Sequence, residues 1–172
     1  MKITDKHVLF WGDWPSNWYP AKIIIKQDGK TIRFDNTEQY FMWVKAKTFG
    51  DDEMAEQIRI KGKDPKVAKE LGRMVRNYDD KVWNEKRYDV MVEANKYKYS
   101  QNPGLKEKLL HTTLRDKGFV EASPYDTIWG IGLAKQNADA DDESKWRGQN
   151  LLGKALDEVR DWLLKQDEQT KV

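Results

Sequence analysis

The 172-residue sequence contains no cysteine. That excludes disulfides and thiolate metal sites. Its two histidines, His7 and His111, are too few for a His-rich metal site, and no metal or cofactor is expected. No apolar run approaches the roughly 20 residues of a membrane span. The opening "MKITDKHVLFWGDW" has no apolar leader or cleavage signal. The expectation from these absences is a soluble, cytoplasmic protein with no membrane association. Charge of one sign is lacking too. Lys+Arg 31 against Asp+Glu 29 leaves +2, too balanced for a dedicated nucleic-acid binder, though a local patch can still exist. No internal repeat is present. What the chain has in surplus is rings, eight tryptophans and seven tyrosines. Such rings build a core or stack a flat ligand.

The length suits one domain, with a core over about residues 7–165 and a C-terminal tail at 166–172. "KHVLFW" reads as a strand. "AKIIIKQDGKTIRF" reads as a hairpin turning at Asp28-Gly29. Helices dominate afterwards. "DNTEQYFMWVKAKTF" opens with Asp35 three residues before Glu38, the spacing of a capping box. "DDEMAEQIRI" has an acidic first turn. "DPKVAKELGRMVR" starts with Asp64 at the N-cap and Pro65 at the first helical position. "DDKVWNEKRYDVMVEANKYKY" puts Trp83, Arg87, Val90, Met91, Ala94 and Tyr97 on one face. A short helix "GLKEKLLHTT" and a strand "GFVEAS" precede a last helix, "QNLLGKALDEVRDWLLKQ". That helix carries Leu152, Ala155, Leu156, Val159 and Leu163 at helical spacing. "NADADDES" lacks periodicity and is expected to be a mobile loop. The fold class is α+β: a predominantly helical single domain with a small antiparallel sheet.

Several residues invite chemistry, and each also has a plain structural use. Glu38 and Lys45 lie seven residues apart, so both point from one helix face, about 10 Å apart along the axis. Glu38 fits a cap as well as a site. Lys66, Lys69, Arg73 and Arg76 form a cationic stripe that suits a phosphate or plain solvation. Gly72 within that helix lets another element or a ligand come close. Trp83 fits a core, Asp126 fits a turn, and Gln149 or Asn150 fits the N-cap of the last helix. "SPYDTIWGIGL" (Ser123 to Leu133) is either a tight turn or a pocket wall.

Taken together, the motifs resemble the NADAR (YbiA-like) family, from about Phe10 to Leu164. They are "SNWYPA", "TEQYFMWVKAKTFGD", "DPKVAKELGRMV", "VWNEKRYDVM", "FVEASPYDTIWGIG" and "WRGQNLLGKALDEVR". Members of that family are N-glycosidases or are implicated in NAD and ADP-ribose metabolism. One branch resembles enzymes hydrolysing the bond between ribose 5-phosphate and the amino-pyrimidine of riboflavin synthesis. Another removes ADP-ribose from guanine in DNA. The resemblance implies Glu38, Trp83, Asp126 and Trp129 as site residues, with Lys45 close by. Glu38 would stabilise the oxocarbenium-like state or activate water. Lys45 would neutralise charge or form a Schiff base with opened sugar. Asp126 would position water or hold ribose hydroxyls. Trp83 and Trp129 would stack on base and sugar, and Gly130 and Gly132 would let the backbone approach the ligand. Lys69 and Arg73 would bind phosphate, and Asn17 and Asn150 would complete the binding set. Gln39 stands where the family usually carries His, which removes an acid from that position. The implied partner is a small ribosyl phosphate or ADP-ribose-type ligand, or ADP-ribosylated DNA. The implied activity is hydrolysis of a C1′–N bond, with a non-catalytic NAD or ADP-ribose binding module as the reading from another class.

Overall fold

The computed structural model describes residues 1–170. In chain order the elements are β1 (Lys2–Ile3), β2 (His7–Phe10), β3 (Pro20–Gln27), β4 (Lys30–Asn36), α1 (Thr37–Thr48), α2 (Asp52–Lys61), α3 (Pro65–Gly72), α4 (Asp80–Gln101), α5 (Pro103–Leu109), β5 (Gly118–Glu121) and α6 (Leu151–Thr170). The fold is α+β, with small sheets of few strands. The chain forms two compact units. One joins Met1–Ser16 to the chain from Gly104 onward, and the other is Asn17–Pro103. Of the expected 166–172 tail, residues up to Thr170 continue α6, and 171–172 lie outside the described residues.

In the Asn17–Pro103 unit, β3 and β4 pair antiparallel around Asp28-Gly29. Both turn residues have positive φ, 51° and 75°, the backbone a two-residue hairpin turn requires. The outer edge of β3 is covered from α4. The Gln101 side-chain amide both accepts from Ile24 N–H at 2.7 Å and donates to its carbonyl at 2.9 Å, and Asn102 donates to the Lys22 carbonyl. Ile23, Phe34, Tyr40, Trp43, Ala46, Ala55 and Ile58 form the core beneath. Gly72 explains how α3 meets α1: a Cβ there would lie 2.0 Å from the Met42 sulfur.

The cationic stripe is shorter than the spacing predicts. α3 ends at Gly72, Arg73 is its C-cap, and Arg76 lies beyond. The Arg76 backbone N–H donates to Asp51 at 2.8 Å and its guanidinium at 3.1 Å, so Arg76 closes α2 rather than extending α3.

In the other unit, β2 is central. It pairs antiparallel with β1 and parallel with β5, in the register His7↔Gly118 to Phe10↔Glu121. The antiparallel sheet expected is the β3–β4 hairpin; this second sheet is mixed. α6 lies on β5 so closely that a Cβ at Gly153 would be 2.0 Å from the Phe119 carbonyl oxygen. Its buried face is Leu152, Ala155, Leu156, Val159 and Leu163, the spacing seen in the sequence. The stretch expected to be a mobile loop is instead anchored. It forms 3-10 turns at Ala138–Asp141 and Glu143–Lys145. Asp141 accepts from Thr4 Oγ1 at 2.6 Å and pairs with His7 Nδ1 at 2.8 Å. Trp146 packs 5.5 Å from the His7 ring and donates Nε1–H to the Ala140 carbonyl. Asparagine and aspartate had offered these turns their own side-chain acceptors, which polarity alone does not reveal. Among the described residues no helix is long and apolar enough to cross a membrane.

Candidate active site

The singled-out residues fall into two sets, one in each unit. Glu38, Lys45, Lys69, Arg73, Trp83 and Asn17 belong to the Asn17–Pro103 unit. Asp126, Trp129, Gly130, Gly132 and Asn150 belong to the other.

The cap of α1 is made by the neighbours of Glu38. The N-cap of α1 is Asn36, not Asp35. Its side-chain oxygen accepts from Gln39 N–H at 2.8 Å, and its amide donates to the Gly62 and Lys63 carbonyls. Gln39 completes the cap: its oxygen accepts from Asp35 N–H at 2.7 Å, and its amide reaches the Ile58 and Arg59 carbonyls. The expected capping role of Glu38 is therefore taken by Gln39, one residue on, and the Gln39 amide is fully engaged in structure. Glu38 sits at the second helical position, 7% exposed, with its backbone N–H on the Asn17 carbonyl at 3.1 Å. A carboxylate there gains from the helix dipole. Asn17 is itself buried, with its amide on the Met91 sulfur at 3.3 Å. The Asn17 side-chain oxygen is buried without a hydrogen bond among the described residues, a costly state unless something else meets it.

Lys45 is half-buried on the same face of α1, its ammonium 4.7 Å from the centre of the Tyr78 ring. Burial pushes its pKa below the ordinary lysine value. Glu38 works against that shift and Arg73 adds to it. Arg73 comes within electrostatic reach because Gly72 lets α3 close on α1. Lys69, one turn earlier on α3, is half-buried, and neither Lys69 nor Arg73 makes an ion pair among the described residues. Trp83 is buried, its ring 5.2 Å from Phe41 and 6.4 Å from Phe49, and Phe49 lies 5.3 Å from Tyr78. Trp83 thus supports the aromatic layer under Lys45, and most of its own ring is covered by protein. A cavity of about 640 Å³ lies elsewhere in this unit, lined by Arg33, Trp43, Lys47 and Arg59 among others. Trp43 and Lys47 are roughly 140° and 180° round α1 from Glu38, so that cavity is on the helix's opposite face.

In the other unit, "SPYDTIWGIGL" is a braced turn. Ser123 Oγ accepts from the N–H groups of Tyr125 and Asp126 at 3.2 and 3.1 Å. Asp126 Oδ1 accepts from Ile128 and Trp129 at 2.9 and 2.8 Å. The other carboxylate oxygen, Oδ2, takes no hydrogen bond among the described residues. Asp126 and Trp129 are both half-buried.

The glycines of the turn are closely packed. A Cβ at Gly130 would be 2.8 Å from the Glu121 carbonyl oxygen and 3.0 Å from that of Asp126. At Gly132, φ is 71° and a Cβ would meet Arg147 at 3.1 Å. At both glycines other parts of the protein come close. Asn150 is likewise engaged: its side-chain oxygen accepts from Glu121 N–H and its amide donates to the Phe119 carbonyl, both at 3.0 Å. It is not a side-chain cap. The first N–H groups of α6, on Leu151 and Leu152, go to the carbonyls of Ile128 and Trp129. The turn, β5 and α6 are thus one interlocked piece that fixes Asp126 and Trp129. Sequence reasoning passed over Trp11, whose half-exposed ring lies 5.8 Å from that of Tyr125. The neighbouring tryptophans in "FWGDW" were its only signal.

The chain matches the NADAR domain model over residues 9–164. It is 41% identical over 167 residues to N-glycosidase R617 of Acanthamoeba polyphaga mimivirus, covering 92% of this chain and 96% of that one. It is 32% identical over 139 residues to N-glycosidase YbiA of Escherichia coli, covering 81% and 75%. The NMR structure of E. coli YbiA matches with a TM-score of 0.70 and 28% identity, over 96% of this chain and 89% of that one. The chloroplastic riboflavin biosynthesis protein PYRR of Zea mays is 29% identical over 159 residues, 87% of this chain and 23% of that protein. The chain belongs to the NADAR family.

Proposed function

We propose that the chain is an N-glycosidase that hydrolyses the C1′–N bond of a phosphorylated ribosyl compound, of the ribosylamino-pyrimidine phosphate type. The observation that carries this is Glu38: a buried carboxylate in the first turn of α1, on one face with a lysine whose charge is disfavoured. Two relatives named N-glycosidase and one named for riboflavin biosynthesis support the reading.

As the bond breaks, its electron pair leaves with nitrogen and positive charge builds on C1′ and the ring oxygen. The Glu38 carboxylate stabilises that charge where little water competes, then takes a proton from the water that adds to C1′. The departing nitrogen gains a proton, so the step is a hydrolysis overall. Lys69 and Arg73 are the cations assigned to the phosphate.

The test is a comparison of two substrates at matched concentration near about 150 mM salt, where phosphate contacts are realistically screened. One is a ribosylamino-pyrimidine phosphate; the other is an oligonucleotide carrying ADP-ribosyl guanine. The expected result is faster release of ribose 5-phosphate. Removal of ADP-ribose at least about ten times faster would replace this substrate class with the second.

A further inference from the structure

The two edges of the β3–β4 hairpin differ. Ile24 points its N–H and C=O out of the hairpin, since both bond the Gln101 side chain. Residues directly opposite in an antiparallel pair either both turn these groups inward or both turn them outward. Arg33 is opposite Ile24, so its N–H and C=O point out from the far edge of β4. Backbone alternation gives Thr31 and Asp35, two residues either way, the same outward direction. At Asp35 the N–H is closed off by Gln39 Oε1 at 2.7 Å. Among the described residues, nothing outside the hairpin bonds the backbone of Thr31 or Arg33. Both residues therefore hold a donor and an acceptor open along one short edge.

That edge borders the cavity of about 640 Å³. α1 packs against both β4 and α2, and the cavity opens between those two. Lys30 to Arg33 line one side; Asp52, Ala55, Glu56 and Arg59, one face of α2, line the other. Each wall is about 10 Å long, by strand rise on one side and helix rise on the other. A strand edge facing a helix across such a groove has room for about three residues of extended chain. The floor is apolar, made by Ile32, Trp43 and Ala55. Asp52 and Glu56 are already engaged, by Lys47 and Arg59. Of the lining carboxylates only Asp28, at the hairpin turn, has no cation among the described residues. Lys30 and Arg33 make no ion pair among the described residues, so positive charge is left over along the open edge. A small anion would meet those cations and leave the backbone groups and the apolar floor unused. An extended peptide meets all three.

We propose that the β4 edge is a docking site for an extended acidic segment of a partner protein, which adds as a strand beside Thr31 and Arg33. Its main chain pairs with their N–H and C=O groups, the usual source of affinity in strand addition. Alternate side chains face opposite ways. Apolar ones go down to Ile32, Trp43 and Ala55, and acidic ones meet Lys30 and Arg33. The charges on this edge then repel basic strands and select acidic ones. The site lies on the face of α1 away from Glu38, so docking leaves that carboxylate uncovered.

The experiment follows the backbone N–H signals of Thr31 and Arg33 in the 15N-labelled full chain. The probe is a capped seven-residue peptide that alternates glutamate with valine. It should shift both signals and slow their hydrogen exchange. The same peptide with its central backbone nitrogens methylated keeps the charge and loses the donors. It should bind about 10-fold more weakly, the scale of two net hydrogen bonds. A lysine–valine peptide and inorganic phosphate should leave both signals in place. Thr31→Pro removes an N–H that the hairpin does not use, and proline is tolerated on such an edge. That variant should fold and bind the probe about 10-fold more weakly. Arg33→Glu, which touches no backbone group, should weaken binding about 5-fold at low salt. The proposal is overturned if neither signal moves with the probe at millimolar concentration. It is equally overturned if the methylated peptide binds as well, if phosphate or the lysine–valine peptide shifts the same signals, or if protein concentration alone shifts them, which would make a second copy the occupant.

Discussion

Lys45 follows Glu38 by two turns on one face of α1, and its ammonium feels two opposed fields: the Glu38 carboxylate favours the charge, while the Arg73 guanidinium and burial oppose it. Much of the chemistry expected of this unit turns on that balance.

Glu38→Gln keeps the shape and removes the charge. The cap of α1 depends on Asn36 and Gln39, so the variant should fold and melt like the parent. Its kcat should fall by about 100-fold or more, the scale of losing an electrostatic catalytic group. Undiminished turnover in a folded variant would remove Glu38 from the reaction.

Lys45 should be the lysine that reacts with ring-opened sugar. Borohydride in the presence of product should trap an adduct, and mass spectrometry should place it on Lys45 rather than on the many surface lysines. The pH dependence of trapping tests the electrostatics. Arg73→Ala removes a like charge, so the Lys45 pKa should rise and trapping should need higher pH. Glu38→Gln removes the favourable charge and should shift the profile the other way. A profile unmoved by both changes would contradict the arrangement.

Gly130→Ala distinguishes a structural glycine from a ligand contact. The new Cβ would press on two backbone carbonyls and on Ser123 Cβ at 3.2 Å. Backbone cannot give way as a flexible side chain does, so stability should drop by about 1–3 kcal/mol in chemical denaturation. A weaker KM with unchanged stability would mean that the space belongs to substrate after all.

Asp51 sets part of the acid stability. Hydrogen bonds from the Arg76 guanidinium and backbone hold its pKa down to about 2, against an ordinary value of 3.8. A carboxylate with a lowered folded pKa stabilises the fold above its unfolded pKa, and that contribution disappears as pH falls through the folded value. Denaturation midpoints should therefore decline between about pH 4 and pH 2, and Asp51→Ala should flatten that part of the curve. At neutral pH the same variant loses the α2 cap as well as Arg76, at a cost of about 2 kcal/mol. An unchanged acid limb would show that other carboxylates dominate it.

Local rules were legible in the sequence wherever a few adjacent residues settle the outcome. Asp28-Gly29 dictated the hairpin turn, Asp64-Pro65 the start of α3, and the leucine spacing of α6 its buried face, because φ preference, capping and helical period act over one or two turns of chain. The family was legible too, since its motifs run in order along the chain. Other outcomes needed the tertiary structure, because they depend on what a side chain meets far along the chain. Whether Asp35 or Asn36 capped α1 was decided by the carbonyls of Gly62 and Lys63. Arg76 left the cationic stripe because Asp51 was waiting for it. That Gly130, Gly132 and Asn150 join the turn to itself, to β5 and to α6 was not legible in the motif. The polar segment after that motif is ordered because His7 and Thr4, more than 130 residues earlier, meet Asp141. Spacing reports which residues share a face; only packing reports which of them are already occupied.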